Sequence, residues 1–236
     1  MIPLRSTLKN KLTKPNPNPI LILGFPKSGT SAITGLLAQS TGLSATIDTK
    51  YLWEPYLSQI IENKLDFKKH LYKNSYPFSK KIIKEPNLVF LVDQIISYYK
   101  QPKIVIIKRD KEKNIKSILD RLNLPGDLVS NPRPDKVNKN WHSLLFENDR
   151  HYVKTLSKKY DLAQNNLKKL SSLNPIFIQY EDFLKDKKST ISHLTSTLDL
   201  SEKNDITSIL DKPFQPSSKN KKSVDEFFGN NLKYFK

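Results

Sequence analysis

Short unbroken apolar runs, alternating with apolar residues at helical spacing, constrain this chain more than any other feature of its sequence. Ile20–Leu23 is one such run, and Lys103–Ile107 and Ile176–Ile178 carry others, while Lys81–Lys84, with Ile82 and Ile83 at its centre, reads as a further short strand. Runs of this length read as strands buried on both faces. After the first, Ala32, Ile33, Leu36 and Leu37 recur at helical spacing up to Gly42, which can end a helix. Leu88, Phe90, Leu91, Ile95 and Ile96 form a second helical stretch. Ile115, Ile118, Leu119 and Leu122 form a third, with Asp110 as its N-cap. Ile191, Leu194 and Leu198 follow the last run. Strands alternating with helices predict βαβ units and an α/β fold of three layers, a central, mainly parallel sheet flanked by helices.

The 236 residues suit one such domain, residues 20–236, behind a polar lead-in over 1–19 that ends in the stiff segment Lys14–Pro19. Residues 123–140, rich in Pro, Asn and Asp, read as a long binding loop, and 140–170 as mostly helical. From Lys212 the chain is polar and basic, with Phe227, Phe228, Tyr234 and Phe235 available to dock it. Hydrophobic residues make up 37% of the chain, so the expected core is small. No internal repeat is visible.

The formal charge of +17 favours a polyanionic partner: nucleic acid, an anionic membrane surface, a phosphorylated or sulfated molecule, or a nucleotide. Lysines are scattered rather than gathered in one arm, which argues against a nucleic-acid-binding module. The absence of cysteine excludes a disulfide framework, a thiolate metal site and a cysteine nucleophile, and fits a reducing compartment. The four histidines (His70, His142, His151, His193) are dispersed and suggest no metal centre. No apolar run is long enough for a transmembrane helix, and residues 1–19 lack the apolar region of a secretory signal.

Of the six glycines, Gly24 and Gly29 bracket the turn between the first strand and its helix, Gly24-Phe25-Pro26-Lys27-Ser28-Gly29-Thr30-Ser31. A loop there aims free backbone N–H groups and the positive end of a helix dipole at an anion. The glycine spacing matches a Walker A loop, but Thr30 stands where its lysine belongs and the lysine lies inside the loop as Lys27. The strand ending at Ile107 runs into Lys108-Arg109, not into the aspartate that would hold magnesium in a nucleotide triphosphatase. Both departures argue against an ordinary ATPase or GTPase. An atypical P-loop kinase is the alternative reading, with the basic nucleic-acid module a more distant one.

Pro26-Lys27-Ser28-Gly29-Thr30-Ser31 resembles the 5′-phosphosulfate loop of sulfotransferases that use 3′-phosphoadenosine-5′-phosphosulfate (PAPS). Arg109 at a strand end, with Ser117 eight residues on, is similar to that family's 3′-phosphate motif. Phe177-Ile178-Gln179-Tyr180-Glu181-Asp182 is similar to a segment the family carries near the adenine. These matches span residues 20–182 in the family's order.

The resemblance implies a P-loop-type fold and in-line transfer of a sulfuryl group to a hydroxyl of a carbohydrate or other small metabolite. Adenosine 3′,5′-bisphosphate (PAP) leaves, and no metal is needed. Lys27 would neutralise the leaving oxygen. Pro26, Ser28, Gly29, Thr30 and Ser31 would hold the 5′ end, Arg109 and Ser117 the 3′-phosphate, and Tyr180 the adenine side. For the general base, Glu54 is favoured over Glu85 and Asp48, with Lys84 and Glu85 as its neighbours at the end of the second strand. No histidine follows Glu85, as it would in cytosolic members, which argues against a flat aromatic or steroid acceptor. Lys219, Lys221 and Lys222 stand where those members close a basic segment over the 3′-phosphate, though the glycine of that segment is missing. Golgi members carry a membrane anchor, and none is seen here, so a cytoplasmic location is expected.

Overall fold

The computed structural model describes residues 4–127, 137–146, 151–214 and 221–235. Helix α1 (Leu4–Leu12) precedes strand β1 (Ile20–Leu23), and α2 (Thr30–Thr41) leads to β2 (Ala45–Ile47). Three short helices follow, α3 (Tyr56–Ile61), α4 (Phe67–Lys73) and α5 (Ser75–Phe78), and then β3 (Ile82–Lys84). After it come α6 (Val92–Tyr98), β4 (Lys103–Lys108) and α7 (Lys111–Leu122). The remainder comprises α8 (His142–Leu145), α9 (Tyr152–Lys168), β5 (Ile176–Gln179), α10 (Tyr180–Lys185), α11 (Lys187–Thr197) and α12 (Val224–Phe228).

The five strands form one sheet in the order β2-β3-β1-β4-β5, every neighbouring pair parallel. The chain steps outward from β1 to one side and later returns to build the other. The loop after β1 therefore sits at the switch point, where open parallel sheets bind ligands. Alternate residues of each strand face opposite layers. Leu21, Leu23, Ile83, Ile104 and Ile106 join one buried cluster, with residues of α3, α4, α6, α7 and α9. Ile20, Ile22, Ile82, Val105 and Ile107 join the other, under α2, α10 and α11. Helices on both faces explain why the strands read as continuous apolar runs.

Four departures from the sequence reading have local causes. Strand β2 is a three-residue edge strand centred on Thr46, too short and too polar to show as an apolar run. The lead-in holds α1, which docks through polar contacts: Tyr76 N donates to Asn10 Oδ1 (3.0 Å) and Ser75 Oγ to the Asn10 carbonyl (2.7 Å). The stretch from Leu88 to Ile96 is broken. Pro86–Phe90 is a 3-10 turn, and Leu91 leaves helical geometry before α6 begins. Two helices follow β5 where the apolar spacing marked only the one through Ile191, because Tyr180–Asp182 opens the separate short helix α10.

Of the loop over 123–140, residues 128–136 lie outside the described residues, as does Lys219 of the basic tail. The tail aromatics dock as expected: Phe227 and Phe228 are buried, and Phe235 packs edge-on against Phe228. Among the described residues, no helix is long and apolar enough to cross a membrane.

Candidate functional site

Gly24 cannot carry a side chain. A Cβ there would lie 2.5 Å from Ser28 Oγ and 2.9 Å from the Ile107 carbonyl, so the loop folds back against the end of β4. Ser28 N donates to the Phe25 carbonyl (3.0 Å), closing the turn, and Lys27 adopts a left-handed conformation (φ 66°). The fully buried Asn114 of α7 braces the turn from below. With its amide oriented to suit both partners, it donates to the Pro26 carbonyl (2.9 Å) and accepts from Ser28 N (3.2 Å). Gly29 (φ 95°) is the N-cap of α2, and no side chain caps the helix. The N-terminus of α2 borders the cleft, the arrangement of an anion site.

Arg109 leaves the end of β4 and reaches back under the loop, its Nη1 donating to the Lys27 carbonyl (2.6 Å). Its guanidinium lies 4.7 Å from the centre of the Tyr180 ring. That ring in turn packs on Gly29, where a Cβ would sit 2.2 Å from it. Tyr160 of α9 donates to the Arg109 carbonyl (2.6 Å) and fixes the backbone. Among the described residues, the buried Arg109 Nε and Ser28 Oγ have no hydrogen-bond partner. Burial lowers the pKa of Lys27, and the nearby charges of Arg121, Arg109 and Lys84 lower it further. A partly buried ammonium pressed by three cations marks a place that favours an anion.

The three carboxylates differ in what already holds them. Glu85 is fully buried: its Oε2 accepts from Thr49 N (2.7 Å) and its Oε1 from Asn87 N (3.3 Å). Burial raises its pKa to about 7. The Thr49 N–H, Lys84 and the Asn87 N–H oppose that rise, and Asp48 adds to it. Asp48 Oδ1 is paired at 2.6 Å with Lys84 Nζ, whose side chain is nearly buried. Glu54 is held on one side only. Its Oε2 accepts from Ser58 Oγ (2.7 Å), while Oε1 is buried and, among the described residues, unpartnered.

One cleft of about 1360 Å³ brings together Pro26, Lys27, Gly29, Thr30, Ser31, Arg109, Ser117, Tyr180 and Lys222 with Asp48, Glu54, Lys84 and Glu85. Two expected residues do not line it. Ser28 is buried beneath the loop, with its hydroxyl turned to Gly24, and Lys221 is exposed on the surface. Ser223 and Val224 line it beside Lys222, so the start of α12 borders the cleft. Sequence reasoning missed Asn114, Tyr160 and Arg121. Each is an ordinary polar residue on a helix or its end, and only the packing of α7 and α9 against the loop gives it a role. Among the described residues, no three His, Cys, Asp or Glu side chains are grouped so that they could hold a metal ion. His70 and His142 each face a backbone carbonyl, of Tyr51 and Val137.

No family model matches the sequence, and no curated protein does. Solved structures do match the fold. A sulfotransferase domain from the curacin biosynthetic pathway superposes with a TM-score of 0.56 at 15% identity, covering 86% of this chain and 80% of its own. Sulfotransferase STF1 from Mycobacterium tuberculosis gives 0.55 at 12% identity, covering 98% and 79%. A sulfotransferase from Alicyclobacillus acidocaldarius gives 0.53 at 16% identity, covering 92% and 94%. With its all-parallel order β2-β3-β1-β4-β5 and the glycine-bracketed loop after the central strand, this chain has the P-loop fold of the sulfotransferases.

Proposed function

We propose that this protein transfers a sulfuryl group from PAPS to a hydroxyl acceptor. One observation carries the reading: Lys27, inside the loop rather than after its second glycine, shares a cleft with Arg109 and Ser117, in surroundings that favour an anion. ATP has no 3′-phosphate for the second pair to bind. The residues present fit the nucleotide, since Arg109 Nε has no acceptor among the described residues and the N-terminus of α2 borders the same cleft.

In this reading, Gly29, Thr30 and Ser31 hold the 5′-phosphate, Arg109 and Ser117 the 3′-phosphate, and Tyr180 the base side. Lys222, at the edge of the cleft, adds charge over the nucleotide, whereas Lys221 points away from it. The acceptor oxygen attacks sulfur in line, an O–S bond forms, and the bond from sulfur to the bridging phosphate oxygen breaks. PAP leaves with that electron pair, stabilised by the Lys27 ammonium. The acceptor proton passes to Glu54, whose Oε1 is the carboxylate oxygen with no protein partner to displace. Glu85 serves another end. Held by the Thr49 and Asn87 N–H groups, it ties the turn after Lys84 to the segment that follows Asp48. Positioning and charge stabilisation do most of the work, as in phosphoryl transfer.

The test is thermal shift with PAP, with ATP and magnesium, and with duplex DNA, paired with transfer from labelled PAPS. PAP is expected to raise the melting temperature most. Lys27→Ala is expected to lose about 10²- to 10³-fold in turnover while remaining folded. Stabilisation by ATP and magnesium alone, or full turnover in Lys27→Ala, overturns the proposal.

A further inference from the structure

The cleft has two sectors. Tyr180, Phe183 and Phe214 border it from the layer under α2, where the phosphate loop ends. Trp53, Leu57, Ile61, Phe90, Trp141 and Leu162 border it from the opposite layer, and three of these pack on or within the other core cluster. Ile61 is 50% exposed and Leu162 47%, large aliphatic side chains held open to solvent at the cleft. Three of the polar side chains among them are already committed. Asn87 Nδ2 donates to the Leu52 carbonyl (2.8 Å), Asn166 Nδ2 to the Val89 carbonyl (3.1 Å), and Ser58 Oγ to Glu54 (2.7 Å).

We infer that the acceptor is an apolar alcohol: one hydroxyl directed to Glu54 and Lys27, and a hydrocarbon body laid along Leu57, Ile61 and Leu162. This rests on the sulfuryl-transfer reading above and narrows it. A glycan would bring many hydroxyls against Leu57, Ile61 and Leu162 and against Asn87, Asn166 and Ser58, whose side chains already donate elsewhere, and hydroxyls left there would lose water without replacement. A hydrocarbon body loses nothing there and removes the apolar wall from water.

The chain contains two tryptophans, Trp53 and Trp141, and both line this sector. Their emission therefore reports occupancy without any transfer. With PAP present, titration with 1-decanol is expected to give a saturable emission change, and cellobiose none. Ile61→Asp and Leu162→Asp, both at exposed positions, are expected to weaken decanol binding at least about tenfold. Ile96→Asp, at an exposed position on α6 outside the cleft, is expected to leave it unchanged. A saturable response to cellobiose without one to decanol, or unchanged decanol affinity in both cleft variants, overturns the inference. Labelled PAPS separates the two readings. Decanol binding without transfer defeats the donor assignment and leaves the acceptor class standing; transfer to cellobiose does the reverse.

Discussion

Lys27 occupies a backbone region that non-glycine residues enter only when held there. What holds it is the Arg109 bond to its carbonyl and the closed turn from Phe25 to Ser28. The same side chain that would bind the 3′-phosphate thus fixes the lysine that would act on the sulfuryl group. Glu54 and Glu85 divide in a comparable way, one open and one committed. Glu54→Gln is expected to lower transfer by about 10²- to 10⁴-fold with the PAP-induced thermal shift intact. Glu85→Gln is expected to keep transfer and change stability with pH instead. In the fold this carboxyl keeps its proton to about pH 7, while in the unfolded chain it ionises near 4.5. The folded state therefore binds the extra proton. The contribution to stability is full below pH 4.5 and is lost as pH rises through 7. Urea unfolding at pH 5 and pH 8 is expected to show wild type losing about 2–3 kcal/mol relative to Glu85→Gln over that interval. Parallel pH profiles for the two proteins would refute the assignment of a buried, proton-holding Glu85.

At the scale of elements, helix α2 is tied to its neighbours through two glycines that leave no room. Gly29 lies under the Tyr180 ring, and a Cβ on Gly35 would meet the Phe214 ring at 2.2 Å. Gly42, which ends the same helix, has positive φ but nothing closer than 3.6 Å to a Cβ. Gly42→Ala therefore meets backbone strain alone, on the order of 1 kcal/mol. Gly29→Ala meets strain and a clash that pushes Tyr180 off Arg109. It is expected to cost about 2–3 kcal/mol and, unlike Gly42→Ala, to weaken PAP binding as read by calorimetry. Equal PAP affinity in the two variants would detach Tyr180 from the nucleotide site.

This helix was legible from the sequence because its glycines and apolar spacing are local. So were β1, β3 and β4, whose apolar residues are buried on both faces, and β5, an edge strand whose Ile176-Phe177-Ile178 run is apolar although Phe177 is 55% exposed. Strand β2 was not legible, because at a sheet edge three residues with a buried threonine suffice. Helix α1 docks through hydrogen bonds to residues more than sixty positions away, which leave no periodic trace. The same holds within the site. The loop, Arg109 and Ser117 announce themselves by spacing, whereas Asn114 beneath Pro26 and Tyr160 behind Arg109 exist as site residues only once α7 and α9 are packed. Glu85 stood as a catalytic neighbour because its strand end was visible and its two backbone donors were not.

For the molecule as a whole, 40 Lys and Arg against 23 Asp and Glu leave a field that attracts anions from every side. Scattered surface charge draws any polyanion. The cleft concentrates it, because Arg121, Arg109 and Lys84 act together on a partly buried lysine where water screens them less. Two salt responses therefore separate. PAP affinity measured by calorimetry is expected to fall at least about tenfold as sodium chloride rises from about 50 to about 200 mM, while decanol affinity, which has no charge to screen, stays level. Removing one contributing charge tells the cleft from the general surface. Arg121→Gln is expected to weaken PAP binding several-fold and flatten its salt dependence, whereas Lys188→Gln, on the exposed face of α11, is expected to alter neither. Were the two variants indistinguishable, the nucleotide would be responding to the surface charge of the protein at large, and the grouping of cations around Lys27 would have no special part in holding it.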